Sequence, residues 1–123
     1  MKLRFRNNSL RLRVNRPEVE NLAAGGAVEE RVDFPGGARL AYILESSPES
    51  APSASFQDGV VRVSAPGWQI KDWARGEAIG LYFHVSGEGA ELRVAIEKDL
   101  QCVEGPAEER DPDAFARAAG KNC

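Results

Sequence analysis

The chain has 123 residues, 42% of them hydrophobic and 28% charged, with a formal net charge of −3. Those values suit one globular domain with a core of its own and exclude collagen-like and wholly disordered chains. No apolar run approaches the roughly 18 residues that cross a bilayer, and Met1 to Arg6 has no signal-like apolar stretch, so a cytoplasmic protein without membrane contact is expected.

The opening residues set up a hairpin. Leu3 and Phe5 alternate with Lys2, Arg4 and Arg6, and Leu10, Leu12 and Val14 alternate with Arg11 and Arg13. Asn7-Asn8 sits between the two runs, and asparagine tolerates the positive φ of a two-residue turn. With that turn Phe5 faces Leu10 and Leu3 faces Leu12 on the buried side. On the other side Arg4 faces Arg11 and Lys2 faces Arg13.

A short helix should follow. Asn15 with Glu18 three places on forms a capping box, Pro17 suits a first helical turn, Val19, Leu22 and Ala23 share one face, and Gly25-Gly26 ends it. A second hairpin is predicted from about Ala27 to Phe34 and from Ala38 to Glu45, around Pro35-Gly36-Gly37. Residues 46–53 are a polar linker.

The same logic then recurs. A shift of 51 places sets Phe5 on Phe56, Leu10 on Val61, Leu12 on Val63, Arg11 on Arg62, Leu22 on Trp73 and Gly25 on Gly76. After one further residue Leu40 meets Leu92 and Glu45 meets Glu97. Asp58-Gly59 signals a type I′ turn. A short helix is expected within Ser64 to Arg75, with Ile70 and Trp73 inward. In the last hairpin Ile79, Leu81, Phe83 and Val85 alternate with Tyr82 and His84, Gly87-Glu88-Gly89 turns, and Leu92, Val94 and Ile96 return. Trp68 is expected to pack against the linker.

Two ββαββ units, 3–45 and 54–97, are therefore predicted within one mostly-β (α+β) domain spanning residues 1–103. A lone hairpin is marginal in water, so the units should cover each other. The expected product is a pseudo-twofold, eight-stranded antiparallel barrel or sandwich with two short helices. Residues 104–123 read as an irregular acidic tail, with a short helix after Asp113 if Phe115 docks.

The hairpin-helix-hairpin order, opened by Arg6-Asn7-Asn8-Ser9-Leu10-Arg11-Leu12-Arg13-Val14, resembles the swapped-hairpin domains of the AbrB and MazE type. That resemblance implies two interleaved units, here fused in one chain, whose first hairpins carry DNA-contacting basic residues. The opening together with Val94-Ala95-Ile96-Glu97-Lys98-Asp99-Leu100-Gln101-Cys102 also resembles a family of small bacterial domains with no assigned function. Over the whole chain it implies a shared fold and brings no activity.

Charge patterning supplies the candidate site. Residues 1–16 contain Lys2, Arg4, Arg6, Arg11, Arg13 and Arg16 and no acid, whereas 104–113 contain Glu104, Glu108, Glu109, Asp111 and Asp113 against Arg110. Like charges opposite each other on a sheet cost up to about 1 kcal/mol per pair, so Lys2, Arg4, Arg6, Arg11 and Arg13 form a candidate anion site. Nucleic-acid phosphates are one occupant. The acidic tail or plain solvent is another, and an acidic protein partner a third.

The expected role is non-enzymatic binding of nucleic acid through the basic N-terminal hairpin, the alternative being a protein-interaction module of antitoxin-like architecture. An uncharacterised structural domain is the remaining class. His84 is the one histidine, and no catalytic triad is identifiable around it. Cys102, Asp111, Asp113 and His84 lack metal-ligand spacing, so no metal or other cofactor is expected. Cys102 and Cys123 read as reduced thiols, with a bridge between them left open.

Overall fold

A computed structural model describes residues 1–100 and 112–115. Its elements are β1 (Lys2–Arg6), β2 (Ser9–Val14), α1 (Arg16–Ala23), β3 (Ala27–Asp33), β4 (Arg39–Ser47), β5 (Ser53–Gln57), β6 (Val60–Pro66), α2 (Gly67–Arg75), β7 (Gly80–Gly87) and β8 (Ala90–Lys98). The eight strands form two four-stranded sheets, ordered β1-β2-β8-β7 and β3-β4-β6-β5.

The turns explain the hairpins. Asn7 and Asn8 have φ of 47° and 55°, Asp58 and Gly59 of 53° and 76°, and Glu88 and Gly89 of 46° and 81°. Two successive residues of positive φ give the twist that right-handed strands need. The first hairpin takes the expected register, Phe5 opposite Leu10 and Arg4 opposite Arg11. Gly59 has a further reason to be glycine: a Cβ there would lie 2.8 Å from the carbonyl oxygen of Arg39.

Each sheet takes one hairpin from each half of the sequence. The first hairpin joins the last through β2 and β8, and the second joins the third through β4 and β6. These central pairs are parallel, with Leu10 beside Val94 and Val61 beside Tyr42. The sheets are therefore mixed, which corrects the expectation of antiparallel pairing throughout. The reason is geometric: β2, β4, β6 and β8 all leave a turn at the same pole, so any two placed side by side run the same way. No strand pairing joins one sheet to the other among the described residues, so the barrel does not close.

One core lies between the sheets and under the helices. Leu10, Leu12, Val14, Val94 and Ile96 contribute from one sheet, and Val28, Leu44, Val61, Val63 and Ala65 from the other. Val19 and Leu22 of α1 and Ile70 and Trp73 of α2 cap it, and the two helices touch each other. The Trp73 indole donates to the Ile79 carbonyl at 2.9 Å, which satisfies its one buried donor.

Helix α1 starts as its sequence requires. Glu18 N–H donates to Asn15 Oδ1 at 3.1 Å, and Asn15 N–H donates to Glu18 Oε1 at 2.9 Å. Glu18 also accepts from the amino group of Met1 at 2.8 Å, and Tyr42 donates to the Met1 carbonyl at 3.1 Å. These contacts fix the start of β1, the strand that carries Lys2, Arg4 and Arg6.

Helix α2 begins later than Ser64. Strand β6 stays paired with β4 as far as Pro66, and the Ser64 hydroxyl donates to Glu45 at 2.8 Å. Trp68 is 67% exposed, not covered by the linker. Among the described residues no helix is long and apolar enough to cross a membrane.

Candidate anion-binding face

Strand alternation and register place the outward side chains of the first sheet in rows. Lys2, Arg13, Glu97 and Gly80 form one row; Arg4, Arg11, Ala95 and Tyr82 the next; Arg6, Ser9, Arg93 and His84 the third. All five sequence-predicted cations, Lys2, Arg4, Arg6, Arg11 and Arg13, lie on this one face. The parallel β2–β8 pairing adds Arg93, Tyr82 and His84, which charge counting near the N-terminus did not reach. Their alternation with Leu81, Phe83, Leu92 and Val94 was the available signal.

The face is divided by its carboxylates. Glu97 Oε1 lies 3.2 Å from Arg11 Nε and 3.5 Å from Arg13 Nε, and Glu97 Oε2 accepts from the Tyr82 hydroxyl at 2.7 Å. Lys2 Nζ is 2.8 Å from Asp99 Oδ2. Three cations, Lys2, Arg11 and Arg13, thus meet two carboxylates, Glu97 and Asp99, where charge patterning points to the tail or solvent. His84 Nδ1 pairs with Glu91 at the sheet margin.

Towards the turns the balance changes. Arg4 and Arg6 are exposed and have no ion pair among the described residues. Arg93 is also exposed and donates to the Asn7 carbonyl at 3.3 Å. These three guanidinium groups border a shallow groove of about 510 Å³ that runs over Ser9, Arg11 and Ala95 to Tyr82 and His84. Burial, then the hydrogen bond and charge of Glu97, raise the Tyr82 phenol above its ordinary pKa of 10.0, while Arg11 and Arg13 pull the other way. The phenol therefore stays a donor to Glu97 at neutral pH.

The second sheet offers a comparison within the same chain. Its equivalent rows hold Ser53, Ser64 and Glu45, then Ser55, Arg62 and Ile43. Arg62 Nη1 lies 3.1 Å from Glu45 Oε2. A carboxylate thus meets an arginine of the parallel neighbour in both sheets, but only the first sheet has guanidinium groups to spare.

A different surface lies on the other side of the first turn. Phe5, Leu10, Leu40, Phe56, Val61 and Leu92 line a cleft of about 660 Å³ between the sheets. Phe5 and Phe56 are 59% and 67% exposed there.

The predicted tail falls largely on residues 104–111 and 116–123, which lie outside the described residues, as do Cys102 and Cys123. Asp113 and Phe115 sit at the helical pole, where Arg16 N–H donates to the Asp113 carbonyl at 3.0 Å and Phe115 N–H to the Asp99 carbonyl at 2.6 Å. The Arg16 guanidinium lies 5.1 Å from the centre of the Phe115 ring.

A model for a family of unknown function, DUF7009, matches residues 1–118, both halves of the fold included. The chain belongs to that family. The expected membership in a family without assigned function is thereby borne out, and DUF7009 brings no activity with it. No curated protein and no solved structure matches the chain, the AbrB and MazE type included.

Proposed function

We propose that this chain binds nucleic acid without catalysing a reaction, through the outer face of the β1-β2-β8-β7 sheet. The observation that carries the proposal is the group of three exposed arginines, Arg4, Arg6 and Arg93, beside one groove and without carboxylate partners among the described residues. Phosphates relieve the repulsion between them, and release of condensed counterions supplies the free energy. Arg11, Arg13 and Lys2 are the further members of the basic surface; their own carboxylates lower their share.

We also infer an internal duplication about a pseudo-twofold axis, with hairpins exchanged between halves as in the AbrB and MazE type. Its support is the matched register. Leu10 beside Val94 becomes Val61 beside Tyr42 under shifts of 51 and 52 places, and the Arg11–Glu97 pair becomes Arg62–Glu45. On this reading one copy acquired a cationic face and the other kept a neutral one.

The test is a fluorescence anisotropy titration of labelled oligonucleotides across salt concentrations. Each phosphate neutralised contributes a slope of roughly −0.7 to −0.9 in log affinity against log salt. Three contacts imply about −2 to −3. Replacing Arg4 and Arg6 together by alanine should reduce both affinity and slope, and Arg62→Ala should leave both unchanged. Absence of salt-sensitive binding would overturn the proposal and favour a protein partner, for which the exposed Phe5 and Phe56 are the supporting observation.

A further inference from the structure

Tyr82 and Gly80 together specify more than a positive surface. A Cβ built on Gly80 would lie 2.7 Å from the Tyr82 hydroxyl oxygen and 2.8 Å from its Cζ. The ring therefore occupies the space above Gly80, laid down along β7 where any other residue would hold a side chain. Its hydroxyl is anchored on Glu97 at 2.7 Å, yet the residue remains 64% exposed. One aromatic face is thus turned to solvent in an orientation already fixed. The neighbour on β8 is Ala95, which raises no wall between the ring and Arg11.

The dimensions of the face also select its ligand. The B-DNA major groove is about 12 Å wide and admits a helix or a two-stranded ribbon. Four strands at about 4.8 Å spacing span roughly 14 Å before side chains are counted, so this sheet does not enter the groove flat. An unpaired strand has no such restriction. Its bases are free to stack on an exposed ring while its phosphates follow a cationic path, and every base has a π-face to offer.

We infer that the ligand of this face is single-stranded nucleic acid, lying across the four strands with one base stacked on Tyr82 and adjoining phosphates on Arg4, Arg6 and Arg93. The inference rests on the nucleic-acid reading above and deepens it. Glu97 acts as a positioning residue: one carboxylate holds the ring and the stems of Arg11 and Arg13. Gly80 provides the recess.

The experiment compares a labelled oligothymidylate with a duplex of equal length at low salt, together with a single strand that carries 2-aminopurine. The single strand should bind the chain at least about tenfold more tightly than the duplex, and 2-aminopurine fluorescence should be quenched by stacking. Tyr82→Ala should weaken single-strand binding by roughly tenfold and abolish the quenching while the salt slope stays the same, because a stacked base releases no counterions. Tyr82→Phe should keep the quenching, with affinity between those of the wild type and Tyr82→Ala because the ring loses its Glu97 anchor, Gly80→Ala should lose affinity by tilting the ring, and Tyr82→Leu should behave as Tyr82→Ala because it has no π-face. Far-UV circular dichroism confirms that each variant is folded. Equal affinity for duplex and single strand, or wild-type quenching in folded Tyr82→Ala, overturns base stacking and leaves the cationic face standing. Failure to bind either oligonucleotide removes the nucleic-acid reading itself, and this inference with it.

Discussion

Glu97 has more demands on it than any other side chain of the basic face: two guanidinium groups and one phenol. Its charge, after burial, is what raises the Tyr82 pKa, and Tyr42 is raised by burial and by the nearby Glu30 and Glu18. The chain has two tyrosines. Phenolate absorbance in the folded protein should therefore develop with a midpoint above 10.0, and Glu97→Gln should lower it for the Tyr82 component. The sign for stability follows. A phenol whose folded pKa is raised holds its proton better when folded, so its stabilisation is complete below 10.0 and is lost as pH rises through the folded value. An unchanged titration in Glu97→Gln would show that burial alone holds the phenol. At this scale the sequence was partly legible, since Arg4 opposite Arg11 follows from alternation and a two-residue turn. The neutralising role of Glu97 was not, because Arg11 and Arg13 meet it from a strand far along the chain.

Local signals defined the elements wherever no distant partner intervened. The Asn15–Glu18 capping box is present in the folded chain, and it closes the first turn of an eight-residue helix. An isolated helix of that length is marginal in water, so its cap and its packing decide whether it forms. Asn15→Ala should cost about 1 kcal/mol, read as a shift of the urea midpoint without change in slope. No shift would mean that packing of Val19 and Leu22 suffices. Helix α2 shows where such signals fail. A helix is expected within Ser64 to Arg75, but pairing with β4 continues to Pro66, so a strand partner that the local sequence does not display sets its start at Gly67.

At the scale of the whole molecule, each sheet is completed by the opposite half of the chain. Four hairpins and two short helices were legible in the alternation and turns, yet the parallel β2–β8 and β4–β6 pairings were not, since the same alternation lets a hairpin pair with its neighbour in sequence or with a distant one. A prediction follows from the exchange. Residues 1–50 and 51–123, produced as separate fragments, should each lack a cooperative thermal transition by circular dichroism, whereas an equimolar mixture should regain one. A cooperative transition in either fragment alone would show that a half closes its own sheet.

The exchange also has a consequence in time. Asn7 and its contact Arg93 are 86 residues apart, so on a ribosome the first hairpin emerges long before the strand that flanks it has been made. Until β8 arrives, β2 has an open edge on the side away from β1. Contacts of such long sequence separation form slowly, and exposed edges are where nascent chains associate wrongly. Through that interval Arg4, Arg6, Arg11 and Arg13 give the first hairpin a positive charge, and like charge opposes edge pairing with a second copy of the same segment. The charge that sets one arginine against another in the finished sheet thus also sets one nascent chain against another.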